Sequence, residues 1–229
     1  VSCAVARAVS VARRRPLWQV LSGFGRRPRR PTLPIPMVNI LSGGLHAGRQ
    51  MEFQDFLAIG HGFPTYAEAL HAITAIHREA RQLLVDRGCL LTGVADEGGW
   101  GPVLATNEEA LGVLTQAIER AGYRPLEQVS IAVDAAASHF YRDGRYHLTS
   151  EGRSLSADEL IDLYAAWAGR YPVRSLEDGL DQDDWPGWRR LTARLGSQLQ
   201  IVGDDLFTTH PSRLRHGIEE HAGNAVLVK

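Results

Sequence analysis

Three apolar runs in this chain end abruptly in acid. Val129-Ser130-Ile131-Ala132-Val133 runs into Asp134, Val173-Arg174-Ser175-Leu176 into Glu177 and Asp178, and Leu199-Gln200-Ile201-Val202-Gly203 into Asp204 and Asp205. A further run, Asn224-Ala225-Val226-Leu227-Val228, ends in Lys229. Carboxylates brought together without cationic partners repel one another and resist ionisation. A hard divalent cation removes the conflict, and oxygen-only ligands suit Mg²⁺. Asp134, Glu177 and Asp204 are therefore the candidate metal ligands. Lys229 beside them either neutralises the acids or serves as a base, because metal charge and desolvation both lower a lysine's pKa. A lysine base next to Mg²⁺ fits removal of a proton adjacent to a carboxylate, where the cation stabilises the doubly negative enediolate. Glu97 joins the group from Gly93-Val94-Ala95-Asp96-Glu97-Gly98-Gly99-Trp100, a loop that sets two acids against two glycines.

Such acids converge only if the strands that carry them are aligned. Short β-branched runs separated by helical stretches of roughly 20 residues read as parallel strands in β/α units. In a β/α barrel the strand C-termini face one way, toward a single mouth. The expected strands are Met37–Leu41, Gln54–Ile59, Val129–Asp134, Val173–Glu177, Gln200–Asp204 and Ala225–Lys229. Between them, Thr65 and Glu68 form a capping box that opens a helix, with Leu70, Ile73, His77, Ala80 and Leu84 inward and Gly88 at its end. Asn107 is expected to cap the next helix, over Leu111, Leu114, Ile118 and Ala121. Ser156 and Glu159 form a second capping box, over Leu160, Leu163 and Trp167. Trp185, Trp188, Leu191 and Leu195 follow at helical spacing and read as core, and Leu214 and Ile218 line a last short helix. His71 and His77 are six residues apart, which is no helical ligand pair. The order is β-β-α-α and then repeated β-α, an unusual opening for a barrel.

The whole chain limits the possibilities further. At 229 residues it can bury a substantial core. Its 25 basic and 26 acidic residues leave a formal charge of -1, with no global attraction to nucleic acid. Cys3 and Cys89 form no C-x-x-C pair, which points to a reduced, cytoplasmic protein. No apolar run approaches the roughly 20 residues needed to span a bilayer. Arg26, Arg27, Arg29 and Arg30 cluster around Pro28 and Pro31 without aromatic interleaving, so they read as a solvated linker rather than a nucleic-acid patch. The stretch Ser2 to Arg15 has helical spacing and stops at Pro16.

The motifs together resemble the enolase family. They are Leu33-Pro34-Ile35-Pro36-Met37-Val38-Asn39-Ile40, Ser42-Gly43-Gly44-Leu45-His46-Ala47-Gly48, Asp96-Glu97-Gly98-Gly99 and Val133-Asp134-Ala135-Ala136-Ala137-Ser138. Ser175-Leu176-Glu177-Asp178-Gly179, Val202-Gly203-Asp204-Asp205-Leu206 and Leu227-Val228-Lys229 complete the series in order. The resemblance implies an α/β fold, a β-β-α-α-(β-α)₆ barrel in which this chain supplies about six of eight strands. Residues 1–31 would be the end of an α+β N-terminal domain and its linker, and 32–229 an incomplete barrel domain. Both ends look cut, so residues 1–229 alone are expected to be inactive and poorly folded.

The resemblance also implies roles. Asp134, Glu177 and Asp204 would hold Mg²⁺, through which Glu177 and Asp204 bind the substrate carboxylate. Lys229 would remove the C2 proton of 2-phosphoglycerate, and Glu97 would help the C3 hydroxyl leave. His46 and Gln54 would line the substrate pocket, with Asp96, Asp178 and Asp205 supporting the working residues. A glycolytic lyase acting on a small phosphorylated hydroxy acid, dimeric when full length, is what the family implies. One position departs: where the family has Gln-Glu-Phe, this chain has Gln54-Asp55-Phe56, a carboxylate drawn back by one methylene beside the leaving hydroxyl. That leaves a phosphonate or other modified substrate as an alternative. A binding protein on the same barrel is a second alternative, opposed by the intact set of acids and lysine.

Overall fold

The structure, a computed structural model, describes residues 2–24 and 32–229, so the Arg26–Arg30 cluster lies outside the described residues. Two compact units, Val1–Pro34 and Ile35–Lys229, divide within the proline-rich stretch Pro31–Pro36. The first contains α1 (Ser2–Ala12) and α2 (Leu17–Ser22). Helix α1 ends before the expected Arg15, because Arg14 turns into the left-handed region at φ 48°.

In the second unit β1 (Met37–Ser42) and β2 (Asp55–Gly60) precede α3 (Tyr66–Asp86) and α4 (Asn107–Arg120). There follow β3 (Val129–Asp134), the short strands β4 (Tyr141–Arg142), β5 (Arg145–Leu148) and β6 (Arg153–Leu155), then α5 (Ala157–Arg170) and β7 (Val173–Glu177). Helix α6 (Trp185–Leu195), β8 (Gln200–Gly203), α7 (Pro211–Glu220) and β9 (Ala225–Val226) complete the chain. The main sheet has six strands in the order β1-β2-β3-β7-β8-β9 and is open among the described residues. Every residue of β3 is buried, as its near-continuous apolar run requires for a strand covered on both faces. Helices α3 and α4 pack on each other and against β1–β3, and α5 packs against β7.

The expectation that all strand ends face one way holds for only part of the sheet. β2 runs antiparallel to both β1 and β3. It therefore offers its first residue, not its last, to the mouth, and Asp55 pairs with Asp134 on one side and Ser42 on the other. The parallel ladders begin at β3–β7, where Asp134 pairs with Glu177.

Several local expectations are corrected. The buried stripe of α3 runs through Ala69, Ile73, Ile76, Ala80 and Leu84, leaving Leu70 39% exposed. Thr106, not Asn107, caps α4, its side chain accepting from the Glu109 N–H. Asn107 is instead buried inside the first turn, and its Oδ1 accepts the N–H groups of Glu52 and Phe53, both at 3.1 Å. Ile218 is 68% exposed. Gly217 is the residue of α7 that packs, since a Cβ there would stand 2.4 Å from the Phe207 ring. The sheet β4-β5-β6 was not anticipated. Its signal is Asp143-Gly144, both at positive φ, between Tyr141 and Tyr146. This small sheet matters for the mouth: Phe140 beside it stacks on Phe53 at 5.5 Å, and Trp167 meets Phe53 edge-on at 5.1 Å. Phe53 is fully buried and anchors the segment that carries Gln54 and Asp55.

Candidate active site

The strand ends bring the acids to one place. The chain turns at Asp178, whose φ of 42° lies in the left-handed region. Its carboxylate accepts the N–H of Asp204 at 3.0 Å and that of Asp205 at 2.7 Å, fixing the end of β8 against the end of β7. Carboxylate oxygens of Glu177, Asp178 and Asp204 consequently lie within 4.8 Å of one another. Lys229 reaches into this group, its Nζ 2.6 Å from Asp204 Oδ2. Asp134 is not in that tight group. Its oxygens accept the Ala136 N–H at 3.0 Å and Gln54 Nε2 at 2.9 Å, beside Glu177 on the neighbouring strand.

A second group forms from the ends of β1 and β2 and the Gly93–Trp100 loop. His46, Asp55 and Glu97 place ligand atoms within 4.8 Å of one another. Asp55 is 1% exposed and carries the His46 ring, with Nδ1 at 2.9 Å from Oδ2. Its other oxygen accepts from Ser42 Oγ at 2.7 Å and from Asn39 Nδ2. With Asp55 ionised, Nδ1 is the donor, and the imidazole Nε2 is left for the pocket. The loop that brings Glu97 lies along β1: Trp100 N–H donates to Ile40 O at 2.9 Å, and Ser42 N–H to Trp100 O at 2.8 Å. Gly99 allows this approach, since a Cβ there would lie 2.6 Å from Ser42 Oγ and 2.9 Å from Asn39 Oδ1.

The two groups share one electrostatic environment. Burial pushes Asp134 well above the usual carboxylate range, reinforced by Glu177 and Asp178. Burial also lifts Glu177 to about 8, with Asp178 and Asp204 adding to the rise. Asp178 rises to about 6 by burial, held back by the two backbone N–H groups it accepts. Burial raises Asp55 too, and the charge of Glu97 acts on both Asp55 and Glu177. With no cation beside it, the hydrogen bond to Asp204 raises the Lys229 pKa, against a smaller lowering by desolvation. Lys229 can act as a base only once the acids around it are neutralised by something else. The group of Glu177, Asp178 and Asp204 fits a hard divalent cation by its chemistry, oxygen donors alone carrying more negative charge than a desolvated mouth tolerates.

Residues 30–229 match the family described as "Enolase, C-terminal TIM barrel domain". The chain belongs to the enolase family. It is 49% identical to a protein of Rubrobacter xylanophilus (strain DSM 9941 / JCM 11954 / NBRC 16129 / PRD-1) named Enolase, over all 229 residues and 100% of this chain. The chain spans 52%, about half, of that relative's length.

Within the enolase barrel the residues singled out by sequence fall into the two groups and a bridge between them. Glu177, Asp204 and Lys229 stand together, as do His46, Asp55 and Glu97, and Gln54 bonds Asp134 between the strands. Sequence reasoning missed Asn39 and Ser42, which hold Asp55. Their signal was a polar residue at each end of the apolar run Asn39-Ile40-Leu41-Ser42, both buried.

The raised Glu177 pKa gives a stability test. The folded state binds this proton more tightly than the unfolded chain does, so the stabilising effect of protonation is full at low pH. Without a divalent cation, stability then falls as the pH rises from 4.5 to about 8. In chelator, Glu177→Gln in the full-length protein should melt several degrees above the parent at about pH 8.5, with little gain at about pH 5. Equal melting differences at both pH values would show that Glu177 carries no buried-charge penalty.

Proposed function

We propose that this chain carries the barrel portion of a divalent-cation-dependent lyase that dehydrates 2-phosphoglycerate to phosphoenolpyruvate. The observation that carries the reading is Lys229 Nζ 2.6 Å from Asp204 in the carboxylate group, with Glu97 across the mouth beside His46 and Asp55. A base and an acid on separate elements suit a proton taken from one carbon and a hydroxyl lost from the next. Glu177 and Asp204, with Asp134 beside Glu177 on the neighbouring strand, would hold Mg²⁺. Both Asp178 oxygens instead accept backbone N–H groups of Asp204 and Asp205 and fix the end of β8. When bound, the cation supplies positive charge beside the substrate carboxylate, where negative charge accumulates as the proton leaves. Lys229 would take the C2 proton. Glu97 would donate a proton to the departing C3 hydroxyl. His46 and Gln54 would orient the substrate, with His46 held in place by Asp55. The reading carries with it a cytoplasmic glycolytic enzyme, dimeric when full length.

In the full-length protein, Lys229→Ala should stop exchange of the C2 proton with solvent. Glu97→Gln should slow dehydration by roughly a hundredfold or more while exchange continues, because the acid acts after the proton has left. Equal loss of exchange in both variants would contradict the division of roles.

Asp55 favours a second reading, dehydration of a phosphonate or otherwise modified substrate. Its carboxylate is buried beneath His46, so its length sets where that imidazole stands. If the shorter side chain has moved the site off 2-phosphoglycerate, Asp55→Glu should raise turnover of that substrate markedly, since a displacement of about 1 Å can cost about a hundredfold. Good turnover by the parent with no gain in the variant would remove the second reading.

A further inference from the structure

His77 lies on α3, outside both acidic groups, and has no part in the roles assigned above. Its Nε2 stands 2.9 Å from the carbonyl oxygen of Gly98, the residue directly after Glu97. A carbonyl oxygen can only accept, so in this contact Nε2 carries the hydrogen. The imidazole also lies against Trp100, with ring centroids 4.6 Å apart. The Trp100 indole N–H in turn donates to the His77 carbonyl at 2.9 Å. The side chain of one residue thus holds the main chain beside Glu97, and its own main chain holds the next anchor along the loop.

The backbone hydrogen bonds around Glu97 close a turn but do not tie it to another element. Gly98 N–H donates to Ala95 O and Ala95 N–H to Gly99 O, both within the loop itself. The ties to β1 begin at Trp100. Gly98 has a φ of 84°, and a Cβ there would meet nothing within 4 Å. Asp96 and Glu97 are exposed. The hydrogen bond to a regular element that lies nearest Glu97 along the loop is therefore the one from His77, on a helix of 21 residues, to Gly98.

We propose that His77 is a positioning residue that sets the Glu97 carboxylate opposite His46 and Asp55 by donating to the Gly98 carbonyl. The proposal rests on the reading in which Glu97 assists loss of the hydroxyl. It separates His77 from a merely structural histidine, because the donor rather than the ring carries the effect. A misplacement of about 1 Å in an active site is enough to cost on the order of a hundredfold in rate.

The test uses the full-length protein and two variants. His77→Phe keeps a ring against Trp100 and removes the donor. His77→Gln puts an amide nitrogen the same number of bonds from the main chain as the imidazole Nε2, and so restores a donor. C2 proton exchange and phosphoenolpyruvate formation from 2-phosphoglycerate with Mg²⁺ are measured together, with amide hydrogen exchange of the 93–100 loop. His77→Phe should slow dehydration roughly tenfold to a hundredfold, with proton exchange and KM within about twofold of the parent. Its loop amides should exchange faster, and His77→Gln should restore both dehydration and loop protection. Dehydration at the parent rate in His77→Phe, parallel loss of exchange and dehydration, or no rescue by His77→Gln would each overturn the proposal. A parent that neither exchanges the proton nor dehydrates would instead remove the functional reading. Loop protection then decides on its own, and unchanged protection in His77→Phe would overturn the positioning role.

Discussion

Crowding of negative charge at the strand ends is the constraint on which the rest of the structure turns. Asp134, Glu177, Asp178 and Asp204 come from three consecutive parallel strands, and burial raises the proton affinity of Asp134, Glu177 and Asp178. An isolated buried charge of this kind costs several kcal/mol, a large part of a domain's net stability. The mouth meets that cost by local devices. Asp178 accepts two backbone N–H groups, Gln54 donates to Asp134, and Lys229 pairs with Asp204. These leave a residual excess of carboxylate that a divalent cation would satisfy.

The antiparallel β2 gives the mouth its second half. Reversing one strand places Asp55 in register with Asp134, so a carboxylate from a strand beginning faces one from a strand end. Asn39, Ser42 and His46 then surround Asp55, and Gly99 lets the acidic loop settle over them. The anchors lie further out, where Phe53 sits among Phe140, Tyr164 and Trp167. Phe53, inside this aromatic cluster, directly precedes Gln54 and Asp55 and so anchors the start of β2.

Much of this was legible in the sequence because the signals are local. β3 and β7 end where the apolar runs meet Asp134 and Glu177, and both capping boxes form as the Thr65–Glu68 and Ser156–Glu159 spacings imply. What was not legible depends on distant partners. Asn107 looked like a cap because its type favours one, yet its side chain is needed by Glu52 and Phe53, more than fifty residues away in the chain. Spacing likewise does not give which acid the Lys229 amine meets, and it is Asp204. Leu70 and Ile218 read as core from periodicity alone, whereas small residues at Ala69 and Gly217 take the packing positions.

The central claim is that the strand-end carboxylates form a divalent-cation site. Calorimetric titration of the full-length protein with Mg²⁺, in the parent and in a Glu177→Gln, Asp204→Asn double variant, tests it most directly. The account predicts one saturable site per chain in the parent and its loss in a variant that still melts cooperatively. Equal Mg²⁺ affinity in the two proteins, or none in the parent, would contradict it.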